Sequence, residues 1–360
     1  MTALHPAKWL LVIPMTGLLI STSPLQAEGP PKENEKKRSG KRDEPIKKAV
    51  ERGLVILQKA ARNYPSHRKC FSCHHQTLPL LAMSEARKAD VSIDGEIWRS
   101  QIQFTRKSFQ QRQEMLEQGK RIGGSAATVS YALWTFSISD QKADQLSGAM
   151  VSYLLKRQRT DGSWRVPSFR PPLEESHITC TILAIWGLEQ FHSIAQMPDV
   201  QKAVHHARAW LKKSKPKNTE ERAMRLWLLA RDQKYNSKKK SAALNTALQH
   251  VLNAQNADGG WSQKSGMKSD AYATGQSLYI LRYAGYPVQS PAFQKGIRFL
   301  LRTQKSDGSW FVKTRSKPVQ VFFDNGDPHG KNQFISVAAT GWATAALAVS
   351  LTDRNRSEKD

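Results

Sequence analysis

Cys70-Phe71-Ser72-Cys73-His74-His75 is the stretch of this chain whose residue types carry the most specific chemistry. Two thiols three residues apart, followed directly by an imidazole, is the spacing by which haem c is attached. The sulfurs add to the porphyrin vinyl groups and the adjacent His74 takes the proximal position on iron. Met267, His177 or His329 would then supply the sixth ligand, or that position would stay open. Two other readings stand beside this one. Cys70 and Cys73 could close a short disulfide, with His74 and His75 as polar residues at a helix start. The third cysteine lies in His177-Ile178-Thr179-Cys180, one helical turn from a histidine. If those segments meet, Cys70, Cys73, His177 and Cys180 form a closed zinc set. The expected cofactor is haem c, with zinc or none as alternatives.

A second group could handle protons. Asp270 stands in Ser269-Asp-Ala-Tyr-Ala-Thr-Gly-Gln276, ahead of an apolar segment. Asp327 and His329 belong to the long Gly-rich loop Asp324-Asn-Gly-Asp327-Pro-His329-Gly-Lys-Asn-Gln333. Asp270, Asp327 and His329 are the catalytic candidates, with Gln333 beside them. A general acid requires a carboxyl whose pKa an apolar wall raises. The competing explanation is that these residues cap their own loops through Asx turns.

These side chains must be positioned by a repeat. Gln158-Arg-Thr-Asp161-Gly162-Ser163-Trp164 recurs as Gln255-Asn-Ala-Asp258-Gly259-Gly260-Trp261 and as Gln304-Lys-Ser-Asp307-Gly308-Ser309-Trp310. The first intervals are 97 and 49 residues, so a degenerate copy is expected at Ala209-Trp210-Leu211 with Lys215 to Asn218. Earlier copies project back to Gln110 and Ala61, making about six units. In each, an apolar helix runs into the Asp-Gly turn and a second helix follows, at 126–136, 178–191, 223–230, 272–283 and 337–351. These apolar runs are too long and dense for strands, so the fold class is all-α. A two-helix unit cannot bury its apolar side alone and must stack on its neighbours. Matching the second helices places Thr128, Thr179, Thr274 and Thr340 in register with His74.

The three Gln-x-x-Asp-Gly-Ser/Gly-Trp loops resemble the repeat motif of squalene and oxidosqualene cyclases and of protein prenyltransferases. The resemblance covers 45–351 and implies an α/α toroid of about six helical hairpins, with inner and outer helix rings. It also implies a central cavity for a hydrophobic isoprenoid-like ligand. In the motif itself Gln is expected to cap its helix, Asp and Gly to form the turn, and Trp to pack on the next unit. The family's acid motif, Asp-x-Asp-Asp, is missing here, as is the Asp-x-Cys zinc pair of the prenyltransferases.

The chain has 360 residues, with 55 Lys and Arg against 30 Asp and Glu, and a net charge of +25. Lys8, the apolar run Trp9 to Ile20 and the small residues to Ala27 read as a signal peptide over 1–27, too short to span a bilayer. Residues 28–44 read as a charged disordered linker and 352–360 as a polar tail. Export to the periplasm or beyond is expected, with membrane anchoring if the signal stays uncleaved. Nucleic acid is then not an expected partner, and the charge points to an anionic envelope polymer or lipid surface. Three functions follow: a binding or redox protein carrying haem c or a metal at the cavity mouth, a cyclase- or prenyltransferase-type enzyme, or a non-catalytic envelope scaffold.

Overall fold

The computed structural model describes residues 33–236, 241–318 and 321–356. The leader expected at 1–27 lies outside the described residues. The chain divides into one unit ending at Gly40 and a second beginning at Lys41. Among the described residues the regular elements are helical, and extended backbone is confined to isolated bridges such as Gln255 with Trp261.

Six hairpins follow one another. The first is α1 (Glu33–His67) and α2 (Leu78–Lys88), the latter entered through one π-helical turn at Cys73–Thr77. The second is α3 (Gly95–Gln110), the short α4 (Gln113–Glu117) and α5 (Ser125–Ile138). Then come α6 (Gln145–Arg157) with α7 (His177–Phe191), and α8 (Met197–Lys213) with α9 (Thr219–Asn236). The last two pairs are α10 (Ala242–Leu252) with α11 (Ala271–Tyr283), and α12 (Pro291–Thr303) with α13 (Gln333–Arg356). The second helices pack side by side in the order α2, α5, α7, α9, α11, α13 and back to α2. This is a closed inner ring, and the first helices surround it.

Sequence explains which helix goes where. The inner α5 is buried at eleven of its residues on every side, whereas the outer α3 buries a single stripe that includes Ile97, Gln101, Thr105 and Phe109. An all-round apolar helix needs neighbours on all sides and an amphipathic one needs them on one. Most of the inner helix α13 belongs to an apolar stretch, Gly330–Thr352, long enough to cross a membrane, yet 94% of its apolar window is buried in the protein. One sequence expectation is corrected. The charged segment read as disordered up to residue 44 is helical from Glu33, as its Glu, Lys and Arg content favours, with Glu44 and Lys48 paired at 3.1 Å one turn apart. The tail beyond Leu351 continues α13 to Arg356.

The repeat motif is a clamp between units, its Gln standing at the C-cap of α6 and of α12 while the side-chain amide reaches beyond the helix. Gln158 Nε2 donates to Gly162 O at 2.9 Å within its own turn and to Ala203 O at 2.8 Å in the next outer helix. Gln255 does the same with Gly259 O and Ala292 O. Gln304 reaches Gly308 O at 3.0 Å and Ala49 O of α1 at 2.8 Å, so the sixth unit grips the first and closes the ring. Each motif Trp is fully buried, its indole N–H donating ten residues back, to Leu154 O, Val251 O or Leu300 O. The Trp backbone N–H donates to an inner-helix threonine: Thr181, Thr274 or Thr340. The register in the third unit therefore runs through Thr181 and not Thr179.

Glycine in the turn is required twice over. Gly162, Gly259 and Gly308 all have φ near +90°, and a Cβ there would stand 2.5 to 2.7 Å from a carbonyl oxygen of the adjoining outer helix. Gly308→Ala should therefore cost about 3 kcal/mol, from the left-handed backbone plus the collision with Arg52 O. Gly266→Ala, at φ +79° with open space around it, should cost only about 1 kcal/mol. Urea unfolding followed by tryptophan fluorescence checks this, and equal losses would show that the approach to Arg52 does not matter.

Candidate functional site

All the long loops of the ring run from the end of an outer helix to the start of an inner one, so they gather at one mouth. What lies beneath that mouth is not a hollow. Trp134, Trp186, Trp227, Tyr279 and Trp342, one from each of five inner helices, fill the axis with ring centroids 4.0 to 6.3 Å apart. The sixth inner helix adds Glu85, which accepts from Tyr279 OH at 3.4 Å. The central cavity implied by the family resemblance is closed by these rings, because indole volume takes the space a ligand would need.

Polar chemistry is instead concentrated at the mouth, over the third, fourth and fifth units. Glu220, on the first turn of α9, is 6% exposed. Its Oε1 accepts from Thr179 Oγ1 at 2.9 Å and its Oε2 from Tyr272 OH at 2.9 Å. Burial pushes its carboxyl up to about 7, although those two hydroxyls pull the other way. Pro172, Glu175, Asn218, Gln263, Tyr272, Gln276 and Arg315 enclose a small cavity with Glu220, in which about 10 Å³ is open to the centre of a water molecule. That is room for about one water. Gln276 Oε1 is buried there without a protein partner.

A charged roof covers this cavity. Arg315 Nη2 donates to Glu175 Oε2 at 2.8 Å and its Nε to Gln263 Oε1 at 2.8 Å, while Lys264 pairs with the other Glu175 oxygen. Burial opposes it, but Arg315 and Lys264 hold Glu175 below the usual carboxylate range. Ser316 Oγ donates to Pro171 O at 3.1 Å, tying the roof loop of the sixth unit to that of the third. Glu220 was not among the residues singled out from sequence. It lay in Thr219-Glu220-Glu221 of the degenerate fourth unit, and the register that placed Asp270 at a helix start would have found it.

The sequence-derived acids have other duties. Asp270 is the N-cap of α11: Oδ1 accepts from Ala273 N at 2.9 Å and Oδ2 from Gln263 Nε2 at 3.0 Å. Burial raises it to about 6. Asp327 Oδ1 accepts from His329 N at 3.0 Å, Oδ2 is buried without a partner, and burial pushes the group up to about 7. His329 Nε2 lies 2.7 Å from Ser309 Oγ, and Gln333 Oε1 accepts from Asn325 N at 2.9 Å. Asp270 and Asp327 share no hydrogen-bond partner, so the three catalytic candidates are not one constellation. Asx turns explain Asp327, and helix capping explains Asp270.

Cys70 and Cys73 belong to the first unit, and Cys180 to α7 of the third. Cys70, Cys73 and Cys180 are all free, so the disulfide reading is corrected. Among the described residues no three His, Cys, Asp or Glu side chains converge on a metal position, so the zinc set of Cys70, Cys73, His177 and Cys180 does not assemble. His177 Nδ1 is occupied by Val166 N–H at 3.3 Å, and Cys180 is buried with its thiol pushed up to about 12. Burial likewise raises Cys73 to about 12 and lowers His74 to about 3, the Arg170 cation adding to the latter. His75 is a structural tie: its ring stacks on Tyr64 at 4.3 Å, Nδ1 lies 3.2 Å from Ser72 Oγ, and Nε2 is 2.7 Å from Asn325 Nδ2. Asn325 Oδ1 accepts from Asp327 N, so the amide faces His75 as donor and the His75 proton sits on Nδ1.

Glu220 makes stability depend on pH with a definite sign. Its folded value near 7 lies above the ordinary 4.5, so the unfolded chain loses this proton first. Its contribution is full below about pH 4.5 and lost as pH rises to 7, about 3 kcal/mol in all. Glu220→Gln should remove that part of the slope in urea midpoints measured across this range; an unchanged slope would place the titration elsewhere.

Residues 218–359 match the model of the squalene-hopene cyclase C-terminal domain family. Among solved structures the chain is similar to a variant of the type II terpene cyclase MstE from Scytonema, at 12% identity and a TM-score of 0.51, over 86% of this chain and 98% of that one. It is also similar to the unsaturated glucuronyl hydrolase of Bacillus sp. GL1, at 13% identity and 0.50, over 83% and 96%. A protein from Actinoplanes matches at 14% identity and 0.50, over 85% and 99%. At such identities the likeness is one of fold, and that fold is the α/α toroid of the terpene cyclases.

Proposed function

We propose that this chain is a terpene-cyclase-like enzyme whose general acid is Glu220, acting at the mouth of the toroid on a hydrophobic, isoprenoid-like small molecule. The observation that carries the reading is the setting of Glu220: a buried carboxyl whose two oxygens are oriented by Thr179 and Tyr272 in a cavity roofed by Arg315 and Glu175. With its pKa raised to about 7, a substantial fraction of it is protonated at neutral pH, and that form can give its proton to a ligand double bond or epoxide oxygen. The resulting cation is discharged when a neighbouring C–H proton leaves or water adds. Trp134, Trp227 and Trp342 pack against one another beneath the mouth, and an indole face favours a cation that comes within about 6 Å of it. Entry requires the Arg315–Glu175 roof to open. Glu220 stands in for the absent Asp-x-Asp-Asp acid, and Tyr272 positions it.

A second reading rests on the first unit. Cys70 and Cys73 are free thiols directly ahead of His74, whose polar contact among the described residues is Cys73 Sγ at 3.8 Å. These residues supply what covalent haem c needs, and the exported location expected from the leader suits it. When bound, haem would bring electron transfer to the mouth.

Incubation with squalene and linear polyprenols, followed by gas chromatography and mass spectrometry, tests the acid. Glu220→Gln should lower turnover by about two orders of magnitude or more, Tyr272→Phe by less, and wild-type turnover should fall above about pH 7. Turnover kept in Glu220→Gln would remove the reading. A pyridine haemochrome spectrum of exported protein, beside Cys70→Ala/Cys73→Ala, tests the second: covalent haem in the wild type alone supports it, and a colourless wild type removes it.

A further inference from the structure

The outer wall of the ring is unevenly charged. Residues 241–306 contain seven lysines and arginines against two carboxylates, Asp258 and Asp270. Asp258 Oδ1 accepts from Gly260 N and Ser269 Oγ, and Asp270 caps α11. Neither outer helix of this sector, α10 or α12, carries a carboxylate. On α12, Lys295, Arg298 and Arg302 stand at i, i+3 and i+7, so they share one stripe, and all three are exposed. Phe293, Gly296, Ile297 and Leu300 form the buried side of the same helix. Arg302 Nη2 donates to a backbone oxygen, Asp258 O, at 3.1 Å.

The cationic stripe continues past the end of α12. Lys305 follows in the turn, and the clamp lays that turn on α1, where Gln304 Nε2 meets Ala49 O and Arg52 Nη2 donates to Gln304 Oε1 at 2.6 Å. Lys48, Arg52 and Lys305 are exposed there. Six cations therefore run from α12 over the closing turn to α1. Against them stand Asp307, held by Ser309 N and Oγ, and Glu44 and Glu51 on α1. Elsewhere on the wall arginines are matched one for one, Arg62 with Asp94, Arg106 with Asp144 and Arg208 with Asp232.

Three of the six cations are arginines, whose forked N–H donors fit the paired oxygens of a carboxylate or sulfate. Ser306, exposed beside Lys305, adds a hydroxyl of the kind that bonds a sugar. A bilayer would need apolar groups to insert, and among the described residues none of the strongly exposed large apolar side chains lies on α12 or in 304–309. The export expected from the leader sets nucleic acid aside. We propose that the outer wall from α12 to α1 binds an acidic polysaccharide, a linear chain bearing uronate carboxylates or sulfates, through Lys295, Arg298, Arg302 and Lys305 together with Lys48 and Arg52. Glu220 belongs to the inner ring, so the binding stands whether or not it is the acid.

Fluorescence anisotropy with labelled polygalacturonate and labelled heparin, beside neutral dextran, tests this on the full chain. Wild type should bind at least one of the two acidic polymers and not dextran. Its affinity should fall at least about tenfold between about 0.01 M and about 0.15 M salt, as the Debye length shortens from about 30 to about 8 Å. Lys295→Gln/Arg298→Gln/Lys305→Gln should weaken binding by about tenfold. Lys107→Gln/Lys120→Gln/Lys142→Gln removes the same charge from exposed sites on the second unit and its junction with the third, and should stay within about twofold of wild type. All six altered side chains are exposed, and circular dichroism confirms that each variant is folded. The cations of residues 28–44 are common to every variant, so the differences report the wall. The proposal is overturned by wild type that binds neither acidic polymer, by dextran that binds as well as they do, or by an α12 variant that loses no more affinity than the control triple. Binding of polyphosphate in place of both acidic polysaccharides would also overturn it and point to a phosphate polymer as the partner.

Discussion

The side-chain amide of Gln304 joins the last unit of this ring to the first, beside the packing of α13 on α2. Gln304 donates from a single nitrogen to its own turn at Gly308 and to Ala49 of α1, more than 250 residues earlier in the chain. A linear stack of hairpins exposes an apolar inner face at each end; joining the ends removes both. The same amide is already used twice within the stack, by Gln158 and Gln255, so closure repeats an existing contact and asks for no special end cap. The turn glycine lets the two backbones come close enough for that bond, and the buried indole beside it fills the wedge between units.

Closing six inner helices leaves an axis whose width is set by what the helices carry. Here each of five helices contributes an indole or phenol at the same level, and the axis becomes core. Chemistry is thereby displaced upward, to the level where inner helices begin and their first turns expose backbone N–H groups. Polar side chains collect there because the helix starts need caps: Ser176, Asn218 and Asp270 each accept from a backbone N–H three residues on. Glu220 sits among these caps without capping its own helix, which leaves both its oxygens for Thr179 and Tyr272. A carboxyl so placed is poorly solvated, and this sets it apart from the paired Glu175 above it.

The fold was legible because its signals are local and repeated. Asp161, Asp258 and Asp307 each accept the backbone N–H two residues on, in turns whose composition announces them. The apolar density of 178–191 or 272–283 likewise specifies an inner helix without reference to anything else. Site residues were legible only as types. Asp270 and Asp327 were visible as carboxyls beside apolar segments, but whether their oxygens are free depends on Ala273, Gln263 and His329 N–H groups that the fold brings up. Glu220 looked like one of many charges ahead of a helix, and its partners Thr179 and Tyr272 are 41 and 52 residues away.

What the sequence determined by itself is the unit: two helices, an Asp-Gly turn, a Gln and a Trp, and the need for neighbours. Those depend on periodicity and on backbone conformations that single residues favour. The tertiary structure alone decided three further matters: that the axis is filled, that His75 is a tie while His74 is not, and that Glu220 is a buried carboxyl held by two hydroxyls from other units. Each turns on which side chains from distant units share one small volume. Burial and pairing, which set pKa and reactivity, are properties of that volume and not of any stretch of chain.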